Sequence, residues 1–176
     1  MARIIVAMLA ASLWISGCGP EKLTPAEQAR EKMAVEAVVA GFWKAHETKD
    51  ARSMNRFLTA SPDFLFFGSD SAEVIRTRAQ WEAQKRDDVQ LFESLRCGAL
   101  KNFSVLIDER GEFATALGEI PLDVQTGGEG SHSLDRFALV MTKEQGEWRI
   151  RQGLITFATV GQSSAELVAR YRIDGR

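Results

Sequence analysis

The chain is poor in the residues that carry metals, disulfides and nucleophilic chemistry. Among 176 residues there are two cysteines, two histidines and one tyrosine. Two of each soft ligand are too few for a multi-ligand zinc site, and no disulfide framework is implied. Neither sign of charge dominates: Lys plus Arg total 22 against 24 Asp plus Glu, a formal net charge of −2, which gives no general attraction to nucleic acid. No Gly-x-x-x-x-Gly-Lys loop is present to cradle nucleotide phosphates, and Gly127-Gly128-Glu129-Gly130 follows a strand-like run without opening a helix. No Gly-x-Ser-x-Gly elbow occurs, and only His46 and His132 are available as imidazole bases, which excludes a serine hydrolase of that type. What remains, 45% hydrophobic and 26% charged, is the composition of one ordinary globular domain, large enough to fold without a staple.

The first residues read as an address. Arg3 is followed by the apolar run Ile4 to Leu13, then Trp14 and Ile15. This is too short for a bilayer core of about 30 Å and suits a signal-peptide core. The run ends Ile15-Ser16-Gly17-Cys18, which resembles a bacterial lipobox. The resemblance implies that Cys18 is acylated on its thiol and becomes the new N-terminus. It also implies a lipid-anchored cell-envelope protein, at the periplasmic face of the outer membrane in a Gram-negative host. Loss of residues 1–17 removes Arg3 and moves the charge to −3. Cys97 is then the one free thiol, expected as a buried small hydrophobe. The chain divides into a signal peptide (1–17), a lipidated tether (18–23), a folded domain (24–162) and a C-terminal tail or short helix (163–176).

Within the domain, helices come first. Thr24-Pro25-Ala26-Glu27 is a capping box with Pro in the first turn. Val35, Val38, Val39, Phe42 and Ala45 then recur at helical spacing, predicting a long helix that ends near Lys49. Asp50 caps a short second helix. Phe64 to Phe67 forms a strand closed by Gly68, Glu73 to Arg76 a second short strand, and Thr77 with Gln80 caps a helix over 78–89. After that the pattern turns extended: 100–107, 113–124, 134–142 and 148–159 are rich in β-branched and aromatic residues. Helices followed by consecutive antiparallel strands predict an α+β fold, three helices closing one side of a curved sheet.

Charged residues in apolar settings are the candidate site. His46 follows Phe42 by four residues on the first helix. Asp88 follows Trp81 by seven on the third, which puts both on one face, where an enclosed carboxylate has its pKa raised toward general-base range. Glu119 and Arg136 fall in the two central strands and need a partner if buried, so they are expected to pair, with Arg136 presented to an anionic group of a ligand. Strand alternation does not fix the face: Phe137, Leu139 and Met141 are apolar, and so are Leu134, Ala138 and Val140. Two apolar faces imply that both are covered, one by the helices and the other by a second subunit. Trp148, Ile150, Gln152, Leu154 and Thr156 are assigned to one face by simple alternation. Asp88, Glu119 and His46 are thus the catalytic candidates. Arg136, Glu119, Gln152, Trp81, Leu154 and Thr156 are the ligand-binding ones. No metal and no cofactor is implied.

Phe66-Phe67-Gly68-Ser69-Asp70-Ser71-Ala72-Glu73-Val74, then Thr77-Arg78 and Trp81, is similar to the SnoaL-like branch of the nuclear transport factor 2-like superfamily. Gly146-Glu147-Trp148-Arg149-Ile150 resembles its last hairpin, and Lys49-Asp50-Ala51 the link between its first two helices. The resemblance spans about Ala34 to Val160 and implies a cone-shaped α+β domain with a pocket at the wide end. Many relatives carry His-x-Ser six and eight residues after that tryptophan. Leu154 and Thr156 stand there in this chain, Gln152 takes a position where some relatives have another histidine, and Thr77 replaces the glycine before the third helix. Fold therefore carries over, while the polar pocket equipment does not. The expectation is a membrane-tethered, non-catalytic domain that binds a small apolar or amphipathic ligand or pairs with itself as a homodimer through the convex sheet face. The alternatives are an isomerase- or dehydratase-like enzyme and an accessory protein of a cell-envelope assembly. The lipobox reading has a direct test: Cys18→Ala protein is expected to leave the membrane fraction, and retention after a high-salt wash would refute a simple lipoprotein.

Overall fold

The structure is a computed structural model that describes residues 21–158. The signal segment, Cys18, residues 159–162 and the 163–176 tail lie outside the described residues. Helix α1 runs Pro25–Glu47, α2 Ala51–Asn55 and α3 Arg78–Leu91. The strands are β1 Leu65–Phe67, β2 Val74–Ile75, β3 Ser94–Cys97, β4 Lys101–Ile107, β5 Phe113–Thr126, β6 Glu129–Glu144 and β7 Glu147–Phe157. Among the described residues no helix is long and apolar enough to cross a membrane.

Local chemistry sets the helix ends where the sequence places them. Thr24 and Glu27 form the complete capping box of α1, satisfying amides that the first turn leaves without partners. Lys49, at φ 58°, takes the left-handed turn after the helix, and its ammonium donates to the Phe92 carbonyl at 2.5 Å, tying the end of α1 to the end of α3. Asp50 caps α2 through the amides of Arg52 and Ser53. Thr77 caps α3, but the Gln80 side chain accepts from the amide of Arg76 and not from Thr77 itself, so that box closes one residue early.

The sheet order is β2-β1-β7-β6-β5-β3, with β4 also on β5. One pairing departs from the expected all-antiparallel sheet: β1 lies parallel to β7. A strand not anticipated from the sequence, β3, shares an edge of β5 with β4. In the break between them the Gly98 amide donates to the Pro121 carbonyl at 2.8 Å, and the register of β4 on β5 shifts between Lys101 and Ser104. The hairpins are tighter than the sequence suggested. Gly127-Gly128 and Gln145-Gly146 all have positive φ, and the long strands run directly into both turns.

The core lies between α1 and the concave face. On β5 the inward residues Ala114, Ala116 and Gly118 stand opposite Met141, Leu139 and Phe137 of β6. Small against large leaves room for Val35, Val39 and Phe42 of α1, all fully buried. At the narrow end α1 is fastened by Glu31, whose carboxylate accepts from Lys143 Nζ at 2.5 Å and from the Trp148 indole at 2.8 Å. Trp148 is 3% exposed, between helix and sheet as the hairpin motif implies. Burial would raise the Glu31 carboxyl, but these hydrogen bonds outweigh it and hold its pKa below the ordinary glutamate value. The stabilisation is therefore present above the ordinary glutamate pKa and lost as pH falls through the depressed folded value. Glu31→Ala is expected to cost roughly 1 kcal/mol after allowance for solvent screening. Urea melts at pH 7 and in acid should show that deficit shrinking in acid; a pH-independent deficit would mean packing alone is lost.

Candidate functional site

A cavity of about 400 Å³ opens at the wide end of the cone, between the C-terminal half of α1, the inner face of α3 and the far ends of β5, β6 and β7. Its wall is largely aromatic and aliphatic. Phe66 meets Trp81 edge-on at 4.8 Å, Trp81 is 1% exposed, and Trp43 packs at 5.5 Å from Phe137. Each helix reaches the cavity for a simple reason of spacing. Trp43 and His46 are three residues apart on α1, and Trp81, Lys85 and Asp88 follow one another at four and three on α3, so each set shares a face.

On that face Lys85 donates to Asp88 at 2.5 Å, sits 3.5 Å from His46 Nε2 and lies 5.0 Å over the Trp81 ring. Gln84 donates to Asp88 at 3.1 Å and to Glu73 at 3.3 Å. Burial pushes the His46 pKa well below the usual imidazole value, and Lys85 adds to it. The ring is therefore neutral. An ammonium has no lone pair to offer, so Nε2 is the acceptor toward Lys85 and the ring proton belongs on Nδ1. That Nδ1 is buried without a partner among the described residues, as are the indole nitrogens of Trp43 and Trp81.

Across the cavity β6 presents Ser131, Ser133 and Asp135 on one face, two residues apart. Asp135 is 4% exposed, and its Oδ1 accepts from the Ser133 hydroxyl at 2.7 Å. Burial pushes its pKa up, opposed only by that hydrogen bond. Cys97, close by, donates to the Trp43 carbonyl at 3.4 Å. Its thiol is pushed up to about 12, burial first and Glu47 next, which makes it inert as a nucleophile. Among the described residues no group of three or more His, Cys, Asp or Glu side chains is placed to hold a metal ion.

His46, Asp88 and Trp81 are brought together here, with Asp88 locked on Lys85 and not free as a base. The strand candidates are not. Glu119 and Arg136 do pair, at 2.9 Å in directly opposed positions, but on the convex face, with Arg136 61% exposed and Asn102 donating to Glu119 at 2.6 Å. Arg136 hydrogen bonding, with Asn102 next, holds the Glu119 carboxyl below its usual value. Both are thus removed from the cone as ligand or catalytic groups. Gln152, Leu154 and Thr156 are displaced for a different reason. Val140 pairs with Gln152 but Met141 with Ile150, so Arg151 is an extra residue, a β-bulge. Beyond it the alternation is reversed: Gly153, Ile155 and Phe157 turn to the cone, and Gln152, Leu154 and Thr156 turn outward. The sequence reading missed the charged groups Lys85 and Asp135 of this cavity, along with the apolar and hydroxyl lining of Trp43, Ile155, Ser131 and Ser133. Lys85 had a signal, its spacing from Trp81 and Asp88. Asp135 had a weaker one, its parity with the bulkier set Phe137, Leu139 and Met141.

On the convex side Leu117, Ala138, Leu154 and Phe67 stand in register across β5, β6, β7 and β1, forming an apolar row beside the Glu119–Arg136 pair. Three of the four are large exposed hydrophobics.

The same architecture recurs in solved structures of low identity. A nuclear transport factor 2-like superfamily protein from Salmonella enterica serovar Typhimurium is 15% identical, with a TM-score of 0.67, over 77% of this chain and 98% of that one. A ketosteroid isomerase-like protein from Erwinia carotovora atroseptica is 10% identical, TM-score 0.62, over 73% and 97%. A nuclear transport factor 2-like protein of unknown function from Pseudomonas putida is 12% identical, TM-score 0.62, over 73% and 87%. No curated protein matches the sequence. The model of the SnoaL-like domain matches residues 35–158, the whole of the sheet and the helical layer from Val35 of α1 onward, and the chain belongs to that family.

Proposed function

We propose that this chain binds a small, largely apolar molecule in its cone without converting it, at a membrane surface to which an acylated Cys18 holds it. The observation that supports binding is the cavity: about 400 Å³, aromatic-walled, with Asp135 and the imidazole of His46 short of protein partners. That volume falls within the range of small-molecule sites, and a few convergent polar groups in an apolar wall are what fix a ligand's orientation. Against catalysis, the Asp88 carboxylate is committed to Lys85, and imidazole and carboxylate are not hydrogen-bonded to each other.

A second reading rests on Asp135 alone. A buried carboxyl with a raised pKa is the kind of proton carrier an isomerase or dehydratase uses, and one structural relative is named ketosteroid isomerase-like. Native mass spectrometry of the detergent-extracted full chain distinguishes the two. Binding predicts a small molecule retained by the wild type, weakened about tenfold or more when Trp81→Ala opens the wall, and released unchanged. A ligand altered in an Asp135-dependent way would replace this reading by the second. An empty cone in material extracted under conditions that preserve the fold, with no uptake from cell extracts, would overturn both.

The same proposal includes a homodimer through the convex face, supported by the apolar row of Leu117, Ala138, Leu154 and Phe67. Leu154→Glu is expected to shift the chain to monomer in analytical ultracentrifugation. An unchanged sedimentation coefficient would refute that interface.

A further inference from the structure

The cone holds one buried carboxyl group, Asp135, that no cation among the described residues pairs with. Asp135 has a hydroxyl on one oxygen and, among the described residues, no ammonium or guanidinium within ion-pair distance. Its chain neighbour Arg136 faces the opposite side of the strand on Glu119, and Lys85, which lines the same cavity, is held on Asp88. Taken as a whole, the charged lining is unbalanced. Among the described residues, Glu73, Asp88 and Asp135 stand against Lys85, with His46 neutral and His132 turned to Asp123 at 2.7 Å. Leaving a carboxylate out of water without a partner is costly, and an anionic ligand would add to that cost. A neutral ligand would leave it in place. An ammonium removes it, and the β6 strip suits one. A primary ammonium can donate to the Asp135 carboxylate and to the lone pairs of the Ser133 hydroxyl that lies 2.7 Å from Asp135 Oδ1 on the same strand face. The aromatic wall completes the match, because ring faces attract cations as well as apolar bodies, as Lys85 over Trp81 already shows.

We propose that the ligand class of the cone is a small amphipathic amine whose ammonium pairs with Asp135 while its apolar body lies against Trp43, Trp81 and Ile155. This rests on the binding reading above and narrows it. It also reverses the expectation drawn from the sequence, in which Arg136 selected an anion.

The test uses three probes of one shape and different charge, titrated by calorimetry at pH 7.5 into the detergent-solubilised full chain: 1-naphthylmethylamine, 1-naphthalenemethanol and 1-naphthaleneacetate. The amine is expected to bind about tenfold or more tighter than the alcohol, and the carboxylate weakest of the three. Asp135→Asn should bring the amine to within about twofold of the alcohol, while Asp135→Glu, which keeps the charge, should retain the preference. Arg136→Met, on the far face, should change none of the three. Thermal melts of each variant separate lost binding from lost folding, and the Asp135→Glu result carries the test if Asp135→Asn does not fold. An alcohol or carboxylate that binds as tightly as the amine, or an amine preference that survives in Asp135→Asn, would overturn the amine assignment and leave the binding reading standing. Failure of all three probes to bind would overturn both.

Discussion

One extra residue in β7 decides what the cone contains. Because Arg151 bulges out of the ladder with β6, Gly153 turns inward, where a side chain on any other residue would strike the Phe66 ring: a Cβ there would lie 2.2 Å from it. The bare backbone lets Phe66 lie across the strand, and Phe66 in turn positions Trp81 and with it the whole inner face of α3. Lys85, Asp88 and Gln84 reach the cavity because Trp81 fixes the rotation of their helix. The same bulge sends Leu154 to the outside, where it completes the apolar row. The lining of the pocket and the character of the opposite face are thus two consequences of a single register shift.

A second dependency runs through size. The strip Ala114, Ala116 and Gly118 has almost no side-chain volume, so the large residues of β6 and the helix α1 share one layer of space above it. A Cβ at Gly118 would fall 2.9 Å from the Phe137 ring. Close approach at this end, with Glu31 fastening the helix to Lys143 and Trp148, lets the two layers diverge toward the other. The wide end is where they no longer touch, and the cavity is that gap. Its polar groups are held by short-range contacts within each layer: Lys85 by Asp88 on one helix, Asp135 by Ser133 on one strand. Among the described residues neither Asp135 nor Lys85 has a hydrogen-bond partner in the opposite layer.

The extents of the three helices, the caps at Thr24, Asp50 and Thr77, the order of helices before the long strands, and the burial of Trp148 could all be read from the amino-acid sequence, because each depends on neighbours within a few residues. The α+β architecture followed, since helices with one apolar stripe and strands with apolar faces have few ways to cover one another. The membership of the pocket did not follow. His46, Trp81 and Asp88 were legible because helical spacing is rigid over two turns, and Lys85 was available by the same arithmetic. Gln152, Leu154 and Thr156 were misplaced because alternation along a strand has a period of two, and one inserted residue inverts every position after it.

Asp135 and Arg136 show the limit most plainly. They are neighbours in the chain, both charged, in a strand apolar on both faces, and the sequence offers only a weak preference for the interior, the parity of Asp135 with the bulkier Phe137, Leu139 and Met141. The choice was made by the partner strands: Gly118 and Ala116 across from Phe137 and Leu139 require those large side chains to turn inward, and the pleat then carries Asp135 in and Arg136 out. Local chemistry determined the elements and their ends in this protein. Only the pairing of distant strands, with its one irregularity, decided which charges the cone encloses, because the face a strand residue occupies is set by the register of its neighbours and not by its own identity.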